Sequence, residues 1–236
     1  MGSDSASKRQ MTMKVERFRD ERSGKPTVSG YIHHPTIPSG DALILAHGAG
    51  TNCESPLLVA LAGAFCSSGA TVLRCDLPFR QARTKGRPLA QCARRDRDGL
   101  KRAVDLLKAS VSKTIYLGGH AYGGYQASIL VASEPSLVKG LMLLSYPLHP
   151  PQQPTQLRIS HLAAVRTRAL FIQASRDPFG THQEVRSVLA TIPTETRLVI
   201  VEDARHELLT ESNSTKLPRL IVREFRDFFG YSERQP

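Results

Sequence analysis

The chain has 236 residues, 40% of them apolar and 22% charged, which suits one large domain with a full hydrophobic core rather than a disordered or disulfide-stapled chain. No run reaches the roughly 18 to 20 apolar residues of a membrane span, and the opening MGSDSASKRQ lacks the apolar stretch of a secretory signal, so a cytoplasmic address is expected. The net charge is +11, and the segment Arg80 to Arg102 holds nine basic residues against two acidic ones; with no aromatic residue interleaved for base stacking, it reads as a solvated helix face and not as a nucleic-acid site.

Residues 1–10 read as a flexible or expression-derived tail, with Met11 and Met13 as alternative starts to a single domain over 11–236. Thr12–Phe18 and Thr27–His33 then form an opening antiparallel pair around the turn-rich RSGKP. Ala42–Ala46 (ALILA) is a continuous apolar run, as a strand buried on both faces requires. Ser55 is placed to cap a helix over Pro56–Cys66, with proline at its first position and Gly69 beyond its end. Thr71–Cys75 is the next strand, DLPFRQARTKGRP a loop, and about Leu89–Lys108 a helix on whose inner face Leu100, Ala103, Val104 and Leu107 recur.

The second half repeats the alternation. Thr114–Leu117 is a strand, about Tyr122–Ser133 a helix, and Leu141–Leu144 a strand running into the proline-rich SYPLHPPQQP. A short helical pattern around Gln156–Val165 precedes the strand Ala169–Gln173, the helix His182–Ala190 and the strand Arg197–Val201. The closing helix Leu217–Phe229 carries Leu220, Ile221, Phe225 and Phe228 as its expected buried stripe. Strands alternating with helices predict a mostly parallel sheet of about eight strands with helices on both faces.

The chemistry concentrates at strand ends. Gly119-His120-Ala121-Tyr122-Gly123 follows the strand TIYLG and opens a helix, which is the context of a nucleophile elbow, G-x-S-x-G. Small residues flank the centre of that turn because larger ones would strike the neighbouring strand and helix. Here alanine occupies the centre. Asp177 follows the strand ALFIQ and His206 the strand RLVIV, so nucleophile position, acid and base occur in the chain order of an α/β-hydrolase. Singly, Asp177 could be an Asx-turn residue and His206 an ordinary loop histidine. In register with the elbow they form a triad.

His47-Gly48-Ala49-Gly50, at the end of ALILA, supplies a loop for backbone donors to a developing oxyanion. Those donors are assigned to Ala49 and Tyr122, with Gly50 as the alternative in the first loop. His47 and His120 read as structural. Arg80 and Arg83, in the loop after RCDLP, are expected to line the entrance of the substrate pocket with Gly50 and to favour an acid-bearing substrate. Cys53, Cys66, Cys75 and Cys92 show no paired spacing and read as free thiols; no metal or cofactor is expected.

LILAHGAG, DLPFRQ, GGHAYGGYQAS, LLSYPLHPP, ASRDPFG and DARHE together resemble the α/β-hydrolase superfamily, its small dienelactone-hydrolase-like branch, and within that a bacterial group related to testis-expressed protein 30 and the hydrolase-like domain of NSL-complex subunit 3. The resemblance spans about residues 40–230. It implies an α/β-hydrolase fold and cleavage of small-molecule carboxylic esters through an acyl-enzyme, or, as in the NSL-complex subunit, a non-catalytic interaction module; the short segment between the strands LMLL and ALFIQ leaves no large lid domain to expect. The family pattern expects GHSYGG where this chain has GHAYGG. Three readings follow: a deliberate replacement of serine by alanine, a natural pseudoenzyme, or attack by another residue, for which Ser145 and Cys53 are the nearest candidates. The chain as written is expected to be nearly inert.

Overall fold

The apolar runs ALILA and LMLL need cover on both faces, and the structure, a computed structural model, provides it. It describes residues 13–111 and 113–230; the expected tail at 1–10 and the first residue of the opening strand lie outside the described residues. The first half comprises β1 (Lys14–Asp20), β2 (Val28–His34), β3 (Ala42–Ala46), α1 (Pro56–Ser67), β4 (Thr71–Asp76), α2 (Pro78–Ala82) and α3 (Ala93–Lys108). The second comprises β5 (Ile115–His120), α4 (Tyr122–Ser133), β6 (Gly140–Leu144), β7 (Ala169–Ala174), α5 (His182–Leu189), β8 (Thr196–Val201) and α6 (Lys216–Phe229).

The strands make one eight-stranded sheet in the order β1-β2-β4-β3-β5-β6-β7-β8. β2 pairs antiparallel with β1 and β4, and every other pairing is parallel. Alternation along each strand divides the core in two. Ala42, Ile44, Ala46, Leu141, Leu143 and Phe171 face a layer that includes Leu100, Val104, Leu107 and Val131 of α3 and α4. Leu43, Leu45, Met142, Leu144, Leu170 and Ile172 face Leu58, Leu61, Phe65, Ile221 and Phe225 of α1 and α6. This is an α/β-hydrolase fold with helices on both faces. Among the described residues, no helix is long and apolar enough to cross a membrane.

Four local expectations change. The segment DLPFRQARTKGRP contains α2, one short helix started by Pro78 and anchored where the Phe79 N–H donates to the buried Asp96 carboxylate at 2.9 Å. Five residues are too few for a helical period to register in sequence. Ser55 does not cap α1: its hydroxyl is buried without a hydrogen bond. The pattern at Gln156–Val165 yields only a 3-10 turn, Leu162–Ala164, because the Arg158 N–H is drawn to the Leu148 carbonyl at 2.7 Å. On α6, Leu220 is half-buried, and Leu217, Val222 and Phe229 complete the buried face.

Candidate active site

A single residue separates the end of β5 from the start of α4, and that residue is Ala121. Its backbone sits at φ +46°, ψ −112°, a strained combination for an L-residue that costs roughly 1–3 kcal/mol. The flanking glycines allow it. A Cβ on Gly119 would lie 2.4 Å from the Gly124 nitrogen, and one on Gly123 would lie 2.6 Å from the His47 carbonyl oxygen. The Ala121 N–H donates to the Leu144 carbonyl at 2.8 Å, tying the turn to β6. Its methyl group joins the lining of an open cleft of about 830 Å³ above the carboxyl ends of the parallel strands.

Asp177, just past β7, is 2% exposed and saturated with donors. His206 Nδ1 lies 2.9 and 3.0 Å from its two carboxylate oxygens, the Phe179 N–H donates to Oδ1 at 2.9 Å, and Gln173 Nε2 donates to Oδ2 at 3.1 Å. With the imidazole proton held at Nδ1, Nε2 is the basic nitrogen of His206. The ring itself is placed from two sides. Phe179 lies against it with centroids 4.2 Å apart, and His120 Nε2 donates to the His206 carbonyl at 2.9 Å. Burial, and after it the neighbouring His206, pushes the His120 imidazole down, so His120 stays neutral as a holder of the His206 loop. Sequence reasoning missed Gln173, whose amide also accepts from the Tyr146 N–H at 2.9 Å and donates to the Gly180 carbonyl at 2.9 Å.

Ala49 and Gly50 line the same cleft, as does Tyr122, the first residue of α4, whose backbone N–H has no acceptor four residues back within its helix. Beneath that loop, buried His47 donates from Nδ1 to the Gly48 carbonyl at 2.8 Å and accepts the Leu77 N–H at Nε2, 3.1 Å away. Burial lowers its imidazole to about 4, so it remains neutral and able to accept. The Tyr122 hydroxyl donates to Asp96 at 2.7 Å, and its ring packs edge-on against Phe79 with centroids 5.5 Å apart.

A family model described as an alpha/beta hydrolase domain matches residues 39–230. The chain belongs to the α/β-hydrolase family. Solved structures with this fold include a dienelactone hydrolase from Anabaena variabilis, with 21% identity, TM-score 0.73, and coverage of 94% of this chain and 99% of that one. An α/β serine hydrolase homologue from Coxiella burnetii has 18% identity, TM-score 0.72, and coverage of 89% and 96%. A Xanthomonas campestris protein described as an α/β serine hydrolase without lid has 17% identity, TM-score 0.72, and coverage of 94% and 97%.

In this α/β-hydrolase the segment 145–168 between β6 and β7 carries no helix beyond the Leu162–Ala164 turn, and the cleft stays open. Its wall differs from expectation at two arginines. Arg80 is 7% exposed and spends its guanidinium on backbone carbonyls, and Arg83 is exposed outside the cleft. The arginines that do line it are Arg87 and Arg158. Arg158 lies over the Tyr125 ring, 6.0 Å from its centroid, and comes from the excursion after β6, where no periodic signal marks it. Neither alternative nucleophile reaches the cleft lining. Ser145 is fully buried, and Cys53 is 2% exposed with its thiol pushed up to about 12, chiefly by burial.

Proposed function

We propose that this α/β-hydrolase is a serine-type carboxylic ester hydrolase whose active form carries serine at position 121, and that the chain with Ala121 binds esters without turning them over. The observation that carries the reading is the strained Ala121 backbone in the same cleft as His206, whose Nδ1 is held by a buried carboxylate. Evolution has no reason to hold an alanine methyl at such a cost; a hydroxyl presented to a base gives one.

The chemistry follows from the donors and acceptors present. In the Ala121→Ser protein, His206 Nε2 takes the hydroxyl proton as the oxygen attacks the ester carbonyl carbon. Negative charge gathers on the carbonyl oxygen, where the backbone N–H groups of Tyr122 and of Ala49 or Gly50 receive it; one such donor is worth about 3–4 kcal/mol. Asp177 keeps the imidazole in the right tautomer and stabilises the imidazolium. The C–O bond to the alcohol breaks and the alcohol leaves with the proton from His206. Water then attacks the acyl-enzyme by the same route and releases the acid. Arg87 and Arg158, rather than Arg80 and Arg83, give the cleft its positive wall and favour esters bearing a second, anionic group.

The test is an ester panel on the Ala121→Ser protein. Turnover of p-nitrophenyl acetate and butyrate should appear, with labelling at position 121 by a fluorophosphonate, while the Ala121 protein stays at about the 10³-fold residual rate of a disabled triad. Monoesters of a dicarboxylic acid should be cleaved faster than neutral esters of equal size, and the double variant Arg87→Gln, Arg158→Gln should lose that preference. A serine-bearing protein that hydrolyses nothing and ignores the fluorophosphonate would instead favour a non-catalytic module built on the same fold.

A further inference from the structure

Helix α2 puts no side chain into the cleft, yet it bonds to the Ala49 and Thr51 carbonyls of the loop that borders it. Gln81 bolts the helix down through the Thr27 and Asp76 carbonyls, at 2.9 and 2.8 Å. Arg80 then reaches sideways. Its Nε donates to the Thr51 carbonyl at 2.8 Å, Nη2 to the Ala49 carbonyl at 2.8 Å and the Gly86 carbonyl at 3.0 Å, and Nη1 to the Arg83 carbonyl at 3.2 Å. Among the described residues the guanidinium has no carboxylate partner, and it is 7% exposed.

We propose that Arg80 is a positioning residue for the oxyanion-binding loop, its buried fork setting the plane of the Ala49–Gly50 peptide and tying that loop to the cleft wall that carries Arg87. The proposal rests on the hydrolase reading above. A trans peptide is planar, and its C=O and N–H point in opposite directions. Holding the Ala49 oxygen against Arg80 therefore aims the Gly50 N–H away from α2. His47 does the same for the preceding peptide by holding the Gly48 oxygen, which orients the Ala49 N–H. With glycine at 48 and 50 and open space around a Cβ at Gly50, the loop has little steric reason of its own to keep this conformation.

A guanidinium suits the task because its N–H donors lie in one rigid fork, whereas an ammonium is a point charge on a flexible stem. The same fork holds Arg83 and Gly86, on either side of a turn in which Gly86 sits at φ +91°. The loop and the Arg87 segment thus form one unit.

The experiment compares Arg80→Lys and Arg80→Gln in the Ala121→Ser background, with circular dichroism and thermal melts as fold controls. Both should lower kcat by about 10- to 100-fold, short of the loss of a donor outright, while KM stays within about threefold. Lysine keeps the charge without the fork, so wild-type kcat in Arg80→Lys would overturn the proposal, as would a loss confined to KM. A second arm needs no turnover. In the Ala121 protein, Arg80→Lys should speed hydrogen exchange of the Thr51 amide, which donates to the Gly48 carbonyl at 3.3 Å, by about tenfold and leave β6 and β7 unchanged. Failure of the ester panel alone would sink the hydrolase reading and leave this arm to decide whether Arg80 holds the loop; unchanged exchange would sink the positioning role by itself. In the unaltered protein the Arg80 Nε proton should exchange slowly, and fast exchange there would count equally against it.

Discussion

Ala121 and the carboxylate that answers it depend in part on groups outside the cleft lining. Gln173 is fully buried and connects Tyr146, Asp177 and Gly180 through both ends of its amide. Replacing it by methionine of similar volume removes those bonds and leaves a buried N–H, a buried carbonyl and one carboxylate lone pair unmatched. Gln173→Met should cost about 2–3 kcal/mol in urea unfolding, and in the Ala121→Ser background it should reduce kcat more than it alters KM, because Asp177 loses a fixed partner. Unchanged stability and kcat would show that the amide is dispensable. The glycines of the elbow act by absence: with 2.4 Å between a Gly119 Cβ and the Gly124 nitrogen, any side chain there opens the strand-to-helix turn.

At the scale of elements, the two helical layers do different work. α3 and α4 cover one face of the sheet and give Ala93, Tyr122, Tyr125 and Gln126 to the cleft lining, whereas α6 covers the other face and gives none. Phe225 is 1% exposed and packs edge-on against Phe65 and Tyr116 at 5.0 and 4.8 Å, with Phe229 at 4.7 Å. Phe225→Ala should cost about 3–5 kcal/mol, measured by chemical denaturation, with KM of the Ala121→Ser protein unaffected while it remains folded. A loss under about 1 kcal/mol would mean the aromatic cluster repacks. α2 shows the opposite relation of size to consequence. It is five residues long, and it joins the oxyanion loop, the buried Asp96 and the cleft wall.

Across the whole molecule, charge is less solvated than its density in sequence suggests. Arg102 is 6% exposed and bonded to Asp20 and to the Pro26 carbonyl, Arg97 donates to Gln126 at 2.8 Å, and Lys101 pairs with Glu134. Arg83, Lys85, Arg87, Arg94 and Arg95 remain exposed. Titration acts on stability through the interior. Burial lowers the His33, His47 and His161 imidazoles to about 4, from an ordinary value near 6.5. Below about pH 6.5 the unfolded chain takes up protons at these rings that the folded chain refuses. Stability is therefore full above that pH, falls as pH drops toward 4, and levels where the folded rings also protonate. Asp96, raised by burial, works in the opposite sense, but as one group against these three and His120, also lowered by burial. The urea midpoint should fall between pH 7 and 5; a midpoint that holds or rises would contradict this account.

What the sequence by itself determined was whatever is local or periodic: the alternation of strands and helices, the glycines around position 121, and the placement of Asp177 and His206 after the last two strands. These were legible because apolar runs, turn residues and chain order carry their own signal. Only the tertiary structure decided that Arg80 turns inward while Arg87 and Arg158 line the cleft, that Gln173 supports the acid, and that the five residues Pro78–Ala82 form a helix. The reason is physical. Arg80 binds backbone carbonyls, and Gln173 binds backbone groups on two of its three bonds besides Asp177; such groups have no residue identity to read. The cleft is assembled from segments far apart along the chain, so which side chain faces it depends on packing rather than on spacing.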